Sequence, residues 1–337
     1  MSEPTPDWPE VDWPDVQVHV VTGKGGTGKT TVAAALALGL ASHGKTVLLC
    51  EVEGRQGIAQ LFGIAPLPYE ERRIVHGSGT AGDVYALAID PESALLEYLA
   101  MYYRLGRAGK ALDRFGVVEF ATTIAPGVRD VLLTGKVYEA ANRNARNKGA
   151  REYDAIVLDA PPTGRITQFL NVNDELAGLA KVGPIKSQAD SITHLLRSRR
   201  TAVPLVTVLE EMPVQETSDG VDQLRAAHLP VGGVVVNLVR PQDLDTAART
   251  ALLAGTVDRD AVARQLAVAG VNDDSATVDV LLAEGRDHAE RRALEDGQRT
   301  LVSQIGVPTY ELPRLAGGID LPALYELAGD LSEQGLC

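Results

Sequence analysis

Nine residues near the start of the chain, Gly23-Lys24-Gly25-Gly26-Thr27-Gly28-Lys29-Thr30-Thr31, have the types and spacing of a phosphate cradle. They fit G-x-x-x-x-G-K-[ST], in which glycines let backbone N–H groups converge on phosphate oxygens. The N-terminus of the following helix adds a positive dipole end. In such a loop Lys29 reaches the β/γ-phosphates and the Thr30 hydroxyl ligates Mg²⁺. A bare glycine-rich turn could match the pattern by chance, but here an apolar run precedes it and an Ala/Leu-rich stretch follows it.

A second segment, Ala155-Ile156-Val157-Leu158-Asp159-Ala160-Pro161-Pro162-Thr163-Gly164, pairs an apolar strand with an acid at its C-terminal end. Open α/β sheets place ligands at that end. Asp159 there can hold Mg²⁺ directly or through water, since Mg²⁺ keeps several of its waters. The Gly164 N–H is placed to sense the terminal phosphate, as switch segments do.

These groups need a sheet to carry them. Strands are predicted at 16–21, 46–51, 84–89, 155–159, 203–209, 231–239 and 309–312, separated by helical patterns. The alternation predicts an α/β fold: a mostly parallel, doubly wound sheet of the P-loop type. Segments at about 91–147 and 166–200 break that rhythm and read as a helical subdomain. Ala94, Leu95, Tyr98, Leu99, Tyr102 and Tyr103 form a broad apolar stripe there, either subdomain core or part of a client groove. Residues 243–305 are again helical and charged. Residues 16–337 are expected to form one domain. Residues 1–15, rich in Pro and acid, read as a flexible tail, with docking of Trp8 and Trp13 as the alternative.

With 337 residues, 45% of them hydrophobic, the chain can bury a full core. A net charge of −13 argues against nucleic-acid binding, which depends on Lys/Arg clusters releasing counterions. The basic stretches 143–151 and 197–200 read as solvated helix ends. Two cysteines, Cys50 and Cys337, fit a reducing compartment and supply no CxxC for zinc. No run approaches the roughly 20 apolar residues of a membrane span, and the N-terminus lacks the pattern of a signal peptide. The expected location is the cytoplasm.

Taken together, these stretches resemble the ATPase family shared by bacterial arsenite pumps and the targeting factor for tail-anchored membrane proteins. The resemblance rests on the phosphate loop with Lys24, on DAPPTGRITQFL from Asp159 to Leu170, on EEMPVQET from Glu210 to Thr217, and on Asn237 with Leu312-Pro313-Arg314. Lysine directly after the first glycine marks the deviant P-loop ATPases. The resemblance implies ATP and Mg²⁺ as cofactors and a dimer in which Lys24 and Glu210 engage the partner's nucleotide. It also implies that Asn237 reads adenine and that the Pro313-Arg314 loop covers the base. A lysine supplied in trans answers a physical need, because phosphoryl transfer is stabilised by positioned positive charge, worth roughly 10³–10⁵ in rate.

The departures carry equal weight. The family's first switch holds an Asp that positions the attacking water; the aligned segment here is Glu51-Val52-Glu53-Gly54-Arg55-Gln56, with Glu53 in that place. Glu53 is then a slow catalyst, a repositioned one, or a switch residue alone, since about 1 Å of misplacement can cost on the order of 10²-fold. Arg165 replaces a switch histidine. The intersubunit zinc cysteines and the arsenite-binding cysteines are both missing, which argues against zinc and arsenite. The expected function is an ATP-dependent dimeric switch coupled to a protein client. Alternatives are a catalytically weak subunit paired with a paralogous ATPase, a nucleotide-binding scaffold, and a DNA- or membrane-positioning ATPase. The last of these wants a basic surface or tail, whereas residues 321–337 contain no Lys or Arg.

Overall fold

The computed structural model describes residues 13–52, 54–103, 126–143, 150–171, 184–272 and 274–337. Eight strands form one sheet in the order β3-β4-β2-β5-β1-β6-β7-β8. They span Val18–Gly23 (β1), Val47–Glu51 (β2), Arg72–Val75 (β3), Val84–Ala88 (β4), Ala155–Asp159 (β5), Thr201–Thr207 (β6), Val231–Val239 (β7) and Thr309–Pro313 (β8). All neighbours pair in parallel except β3, which runs antiparallel to β4 at one edge. This is the expected α/β fold. The seven predicted strands are present, with ends shifted by up to two residues. β3 was not predicted: it is only RRIV, and an edge strand needs no apolar alternation.

Strands β1, β2, β4 and β6 are buried along their whole length, because helices cover both faces. On one face lie α1 (Lys29–Ser42), α2 (Gly57–Leu61) and α11 (Leu321–Glu333). Helix α1 is apolar all round because α11 covers its outer side. Gly39 permits that approach, since a Cβ there would stand 2.5 Å from the Cys337 sulfur. The other face carries α4 (Pro126–Ala141), α5 (Thr163–Leu170), α6 (Pro184–Leu196) and α7 (Glu211–Ala226), packed around Phe169, Ile166 and Leu224.

Helix α4 also packs against α3 (Pro91–Tyr103) and α6. Ala94 and Leu95 of the predicted apolar stripe are buried; the side chains of its four tyrosine and leucine members fall outside the described residues. So do residues 104–125, 144–149 and 172–183 of the expected subdomain. One polar contact reaches the sheet edge, Arg143 to Glu71 beside β3 at 2.6 Å; Arg143 also pairs with Glu139 of α4 at 2.8 Å, and Lys136 ties α4 to α3 through Glu97 at 2.8 Å. Arg143, expected to be solvated, is thus largely sequestered. Between β7 and β8 the chain forms α8 (Thr246–Ala254), α9 (Arg259–Val268) and the 30-residue α10 (Ser275–Gln304).

At the bottom of the sheet Trp13 packs inward, donating to the Tyr310 hydroxyl at 3.0 Å and stacking on His19 with ring centroids 5.9 Å apart. Residues 1–12, including Trp8, fall outside the described residues. His19 is fully buried; desolvation, reinforced by the nearby Lys45 charge, pushes its pKa down to about 3. The unfolded chain therefore binds a proton here that the folded chain refuses. Stability from this site is intact above the ordinary histidine range and falls between pH 6.5 and pH 3. Replacing His19 with Phe, which can keep the ring stack, should make the protein less acid-labile. Between pH 7 and pH 4, urea titrations should show wild type losing about 3 kcal/mol more than the variant; equal losses would show that His19 is not the acid-sensitive group.

Candidate nucleotide site

The C-terminal ends of β2, β5, β1, β6, β7 and β8 line one edge of the sheet, and the predicted chemistry gathers there. Chain direction across the sheet reverses around β1, with β2 on one side and β6 on the other, the place where such sheets bind ligands. Gly23 ends β1 against β6 so closely that a Cβ would lie 2.1 Å from the Val206 carbonyl oxygen. After it the loop turns through Gly26 and Gly28, at φ of 88° and 87°.

The loop's carbonyls are held from within. Thr27 Oγ1 donates to the Lys24 carbonyl at 2.9 Å, Lys29 Nζ approaches the same oxygen at 3.5 Å, and Asn237 Nδ2 donates to the Thr27 carbonyl at 2.9 Å. Helix α1 starts at Lys29 behind Gly28, and no side chain caps it. A helix N-terminus placed behind such a loop favours an anion through its dipole, which is what the glycine-rich spacing anticipates. Thr31 continues the first turn.

Thr30 Oγ1 donates to Asp159 Oδ2 at 2.6 Å, joining the two motifs across 129 residues of sequence. A hydroxyl and a carboxylate converging at a helix N-terminus are hard oxygen donors, and they suit Mg²⁺ completed by water and phosphate oxygens. Thr22 Oγ1 holds the start of the second switch by donating to the Pro161 carbonyl at 2.7 Å. Gly164 lies exposed in the first turn of α5.

Lys24 stands on the open side of the loop, its ammonium 2.8 Å from Glu216 on α7. Both partners are about one-third exposed (29% and 37%), so the pair holds Lys24 only weakly, at about 0–1 kcal/mol. Glu210 precedes α7 in extended conformation, Pro313 closes β8 opposite Val239, and the Arg314 N–H donates to the Val239 carbonyl at 2.8 Å. Lys24, Gly25, Gly26, Thr27, Glu210 and Arg314 share the wall of one cavity of about 670 Å³. Asn237 sits behind it, buried. Leu238, next to it, adopts φ of 60°, the left-handed region a branched residue rarely occupies, and β7 is irregular at this point.

Glu53 falls outside the described residues. Its neighbour Glu51, quoted above only as part of the switch, is buried and accepts from the Gln56 N–H at 2.5 Å and the Ile58 N–H at 3.1 Å. It holds the start of α2 beside Thr30, and it is in register with Asp159 across β2 and β5. Arg165 in the second switch lies 3.8 Å from the buried Asp130 of α4, beside a cleft of about 100 Å³ that Arg55 and Arg129 also line. Sequence reasoning missed Glu51, Asp130 and Glu216 as site residues. For Glu51 the signal was present, an acid ending an apolar strand as Asp159 does; Glu216 lies within the EEMPVQET stretch without standing out in it, and for Asp130 no local signal exists.

Residues 16–197, more than half of the chain, match the family described as anion-transporting ATPase. The chain is 51% identical over 326 residues to ATPase BagA of Mycobacterium tuberculosis, covering 95% of this chain and 94% of that protein. It is also 29% identical over 188 residues to ATPase get3 of Aspergillus niger, covering 55% of this chain and 51% of that one. The chain belongs to the anion-transporting ATPase family, which includes arsenite-pump and Get3-like ATPases. Among the described residues no helix is long and apolar enough to cross a membrane.

The packing of Asn237 on the loop predicts a coupling. A Cβ at Gly28 would stand 2.4 Å from Asn237 Nδ2 on a backbone already at φ 87°. Gly28→Ala should cost roughly 2–3 kcal/mol of stability in thermal denaturation. In an Asn237→Ala background the same change should cost about 1 kcal/mol less; strict additivity would show that the amide does not brace the loop.

Proposed function

We propose that this protein is a Mg²⁺-dependent ATPase working as a dimeric switch, in which ATP draws two subunits together and hydrolysis relaxes them. The observation that carries the reading is the cavity that joins the uncapped glycine loop to Lys24, Glu210 and Arg314. Lys29 and the N–H groups of α1 bind the phosphates, while Asn237 and the Pro313-Arg314 loop take the base end. Thr30 and Asp159 would hold Mg²⁺, which would supply positive charge against the phosphates. Lys24 leaves its weak pair with Glu216 and, with Glu210, engages the partner's nucleotide. Glu53 orients the attacking water. Gly164 and Arg165 pass the phosphate state through Asp130 to the helices of residues 91–147 and 166–200, which act as a subdomain toward a protein client.

A second reading, a heterodimer with a paralogous ATPase, is favoured by one feature: Glu53 where the family's switch has Asp. It makes this chain the slower half of a mixed pair. The protein works in the cytoplasm in either case.

Calorimetric titration with Mg-ATP tests the reading at its base; well-folded protein that releases no heat would end it. Lys24→Ala should still bind ATP but lose turnover by at least about 10³-fold, the lower bound for a positioned cation. Unchanged turnover would remove the trans role. Glu53→Asp should raise the steady-state rate, by up to roughly 10²-fold if a misplaced carboxylate limits it; an unchanged rate would reduce Glu53 to a structural part of the switch.

A further inference from the structure

Beyond the ends of β2 and β5, on the α4 and α5 face of the sheet, lies the cleft of about 100 Å³ beside Arg165. It shares no lining residue with the nucleotide cavity. Val52, Leu133 and Phe169, all buried, give it an apolar side, and Arg55, Arg129 and Arg165, all exposed, a basic one. The described residues of its wall carry three guanidiniums and one carboxylate, that of Asp130. This is an excess of positive charge in a chain whose net charge is −13.

The backbone under each arginine is fixed. Arg129 and Leu133 lie one turn apart on α4, as Arg165 and Phe169 do on α5, and Leu133 and Phe169 belong to the core. The Arg165 N–H donates to the Pro162 carbonyl at 2.8 Å, and its guanidinium stands 3.8 Å from the buried Asp130. Arg55 sits between Gly54 and Gln56, at φ of 68° and 56°. A non-glycine residue keeps that conformation only where its surroundings hold it. Here the Gln56 side chain is bonded twice to the Leu67 backbone, at 2.7 and 3.2 Å.

Like charges around one small cleft repel each other, and a buried apolar side strengthens the repulsion by lowering the local dielectric. An anion among them turns the same field to its own stabilisation. Guanidiniums suit phosphate oxygens in particular, because their parallel N–H groups match them bidentately. The cleft is well below the roughly 300–1,000 Å³ of pockets for larger organic ligands, so the fit is to a small ion. All three arginines are open to solvent, and nothing buried has to move for an ion to reach them.

We propose that Arg55, Arg129 and Arg165 form a binding site for a tetrahedral oxyanion, inorganic phosphate, separate from the phosphate loop. ATP hydrolysis at the neighbouring strand ends would release that ion between the two switch segments that supply Arg55 and Arg165. The nucleotide reading provides only this source; binding of phosphate in the cleft does not depend on it.

The test is thermal denaturation of the full-length protein in saturating Mg-ADP, with added potassium phosphate compared with potassium chloride at matched ionic strength. Phosphate should raise the wild-type midpoint, and the concentration dependence of the rise gives its affinity. Arg55→Gln and Arg129→Gln should each weaken that affinity at least about tenfold, as expected for loss of a charge-assisted contact. Both should keep the shift caused by Mg-ADP itself. Arg199→Gln removes the same charge from an exposed site just before β6, at the opposite edge of the sheet, and should leave phosphate affinity unchanged. If phosphate acts no differently from chloride, or if the two cleft variants keep the wild-type response, the cleft is not a phosphate site. If Arg199→Gln weakens the response as much as they do, net charge alone is at work and the proposal falls. A missing Mg-ADP shift, by contrast, would fail the nucleotide reading and leave the phosphate comparison to decide this one by itself.

Discussion

The site depends on where the phosphate loop's carbonyls go. A nine-residue, glycine-rich segment has too few side chains to define its own shape, and its backbone groups must be satisfied somewhere. Here the Lys24 and Thr27 carbonyls accept from Thr27, Lys29 and Asn237 side chains. That leaves the N-terminus of α1 without a side-chain cap. A loop braced through its acceptors presents its donors, and the cost of organising an anion site is met in folding rather than in binding.

Around this loop the strand ends divide the work. Asp159 and Glu51 stand side by side on β5 and β2 but do different things. Asp159 meets the Thr30 hydroxyl, whereas Glu51 turns both oxygens to backbone N–H groups at the start of α2. The segment after β2 is therefore tied down from the strand's last residue, Glu51, which holds the N–H groups of Gln56 and Ile58 at the start of α2. The second switch is anchored by Thr22 to Pro161 at its start and by Arg165 to α4 further on.

The opposite end of the cavity is made by the segment between β7 and β8. Helices α8 and α9 contain no buried residue, yet α10 buries Arg292 and Glu295. Burying charge is tolerable only where every charge is paired and hydrogen-bonded. The Arg240–Glu295–Arg292 set meets that condition, and its effect is positional: it fixes the insert to the strand that carries Asn237.

The sequence alone determined the local pieces. The glycine spacing, Lys29-Thr30, the strand ending in Asp159 and the seven apolar strands were legible because each depends on a short-range rule of period, turn chemistry or strand-end placement. Strand β3 was not legible, since an exposed edge needs no apolar pattern. Docking of Trp13 was legible only as the alternative to a free tail, and its partner Tyr310, 297 residues away, was not legible at all. Only the tertiary structure decided that Lys24 meets Glu216, that Arg165 meets Asp130, and that Arg55 and Arg129 share one cleft with Arg165. Those pairings join residues far apart in the chain, and charge or polarity at one position carries no record of which distant partner the sheet order will bring beside it.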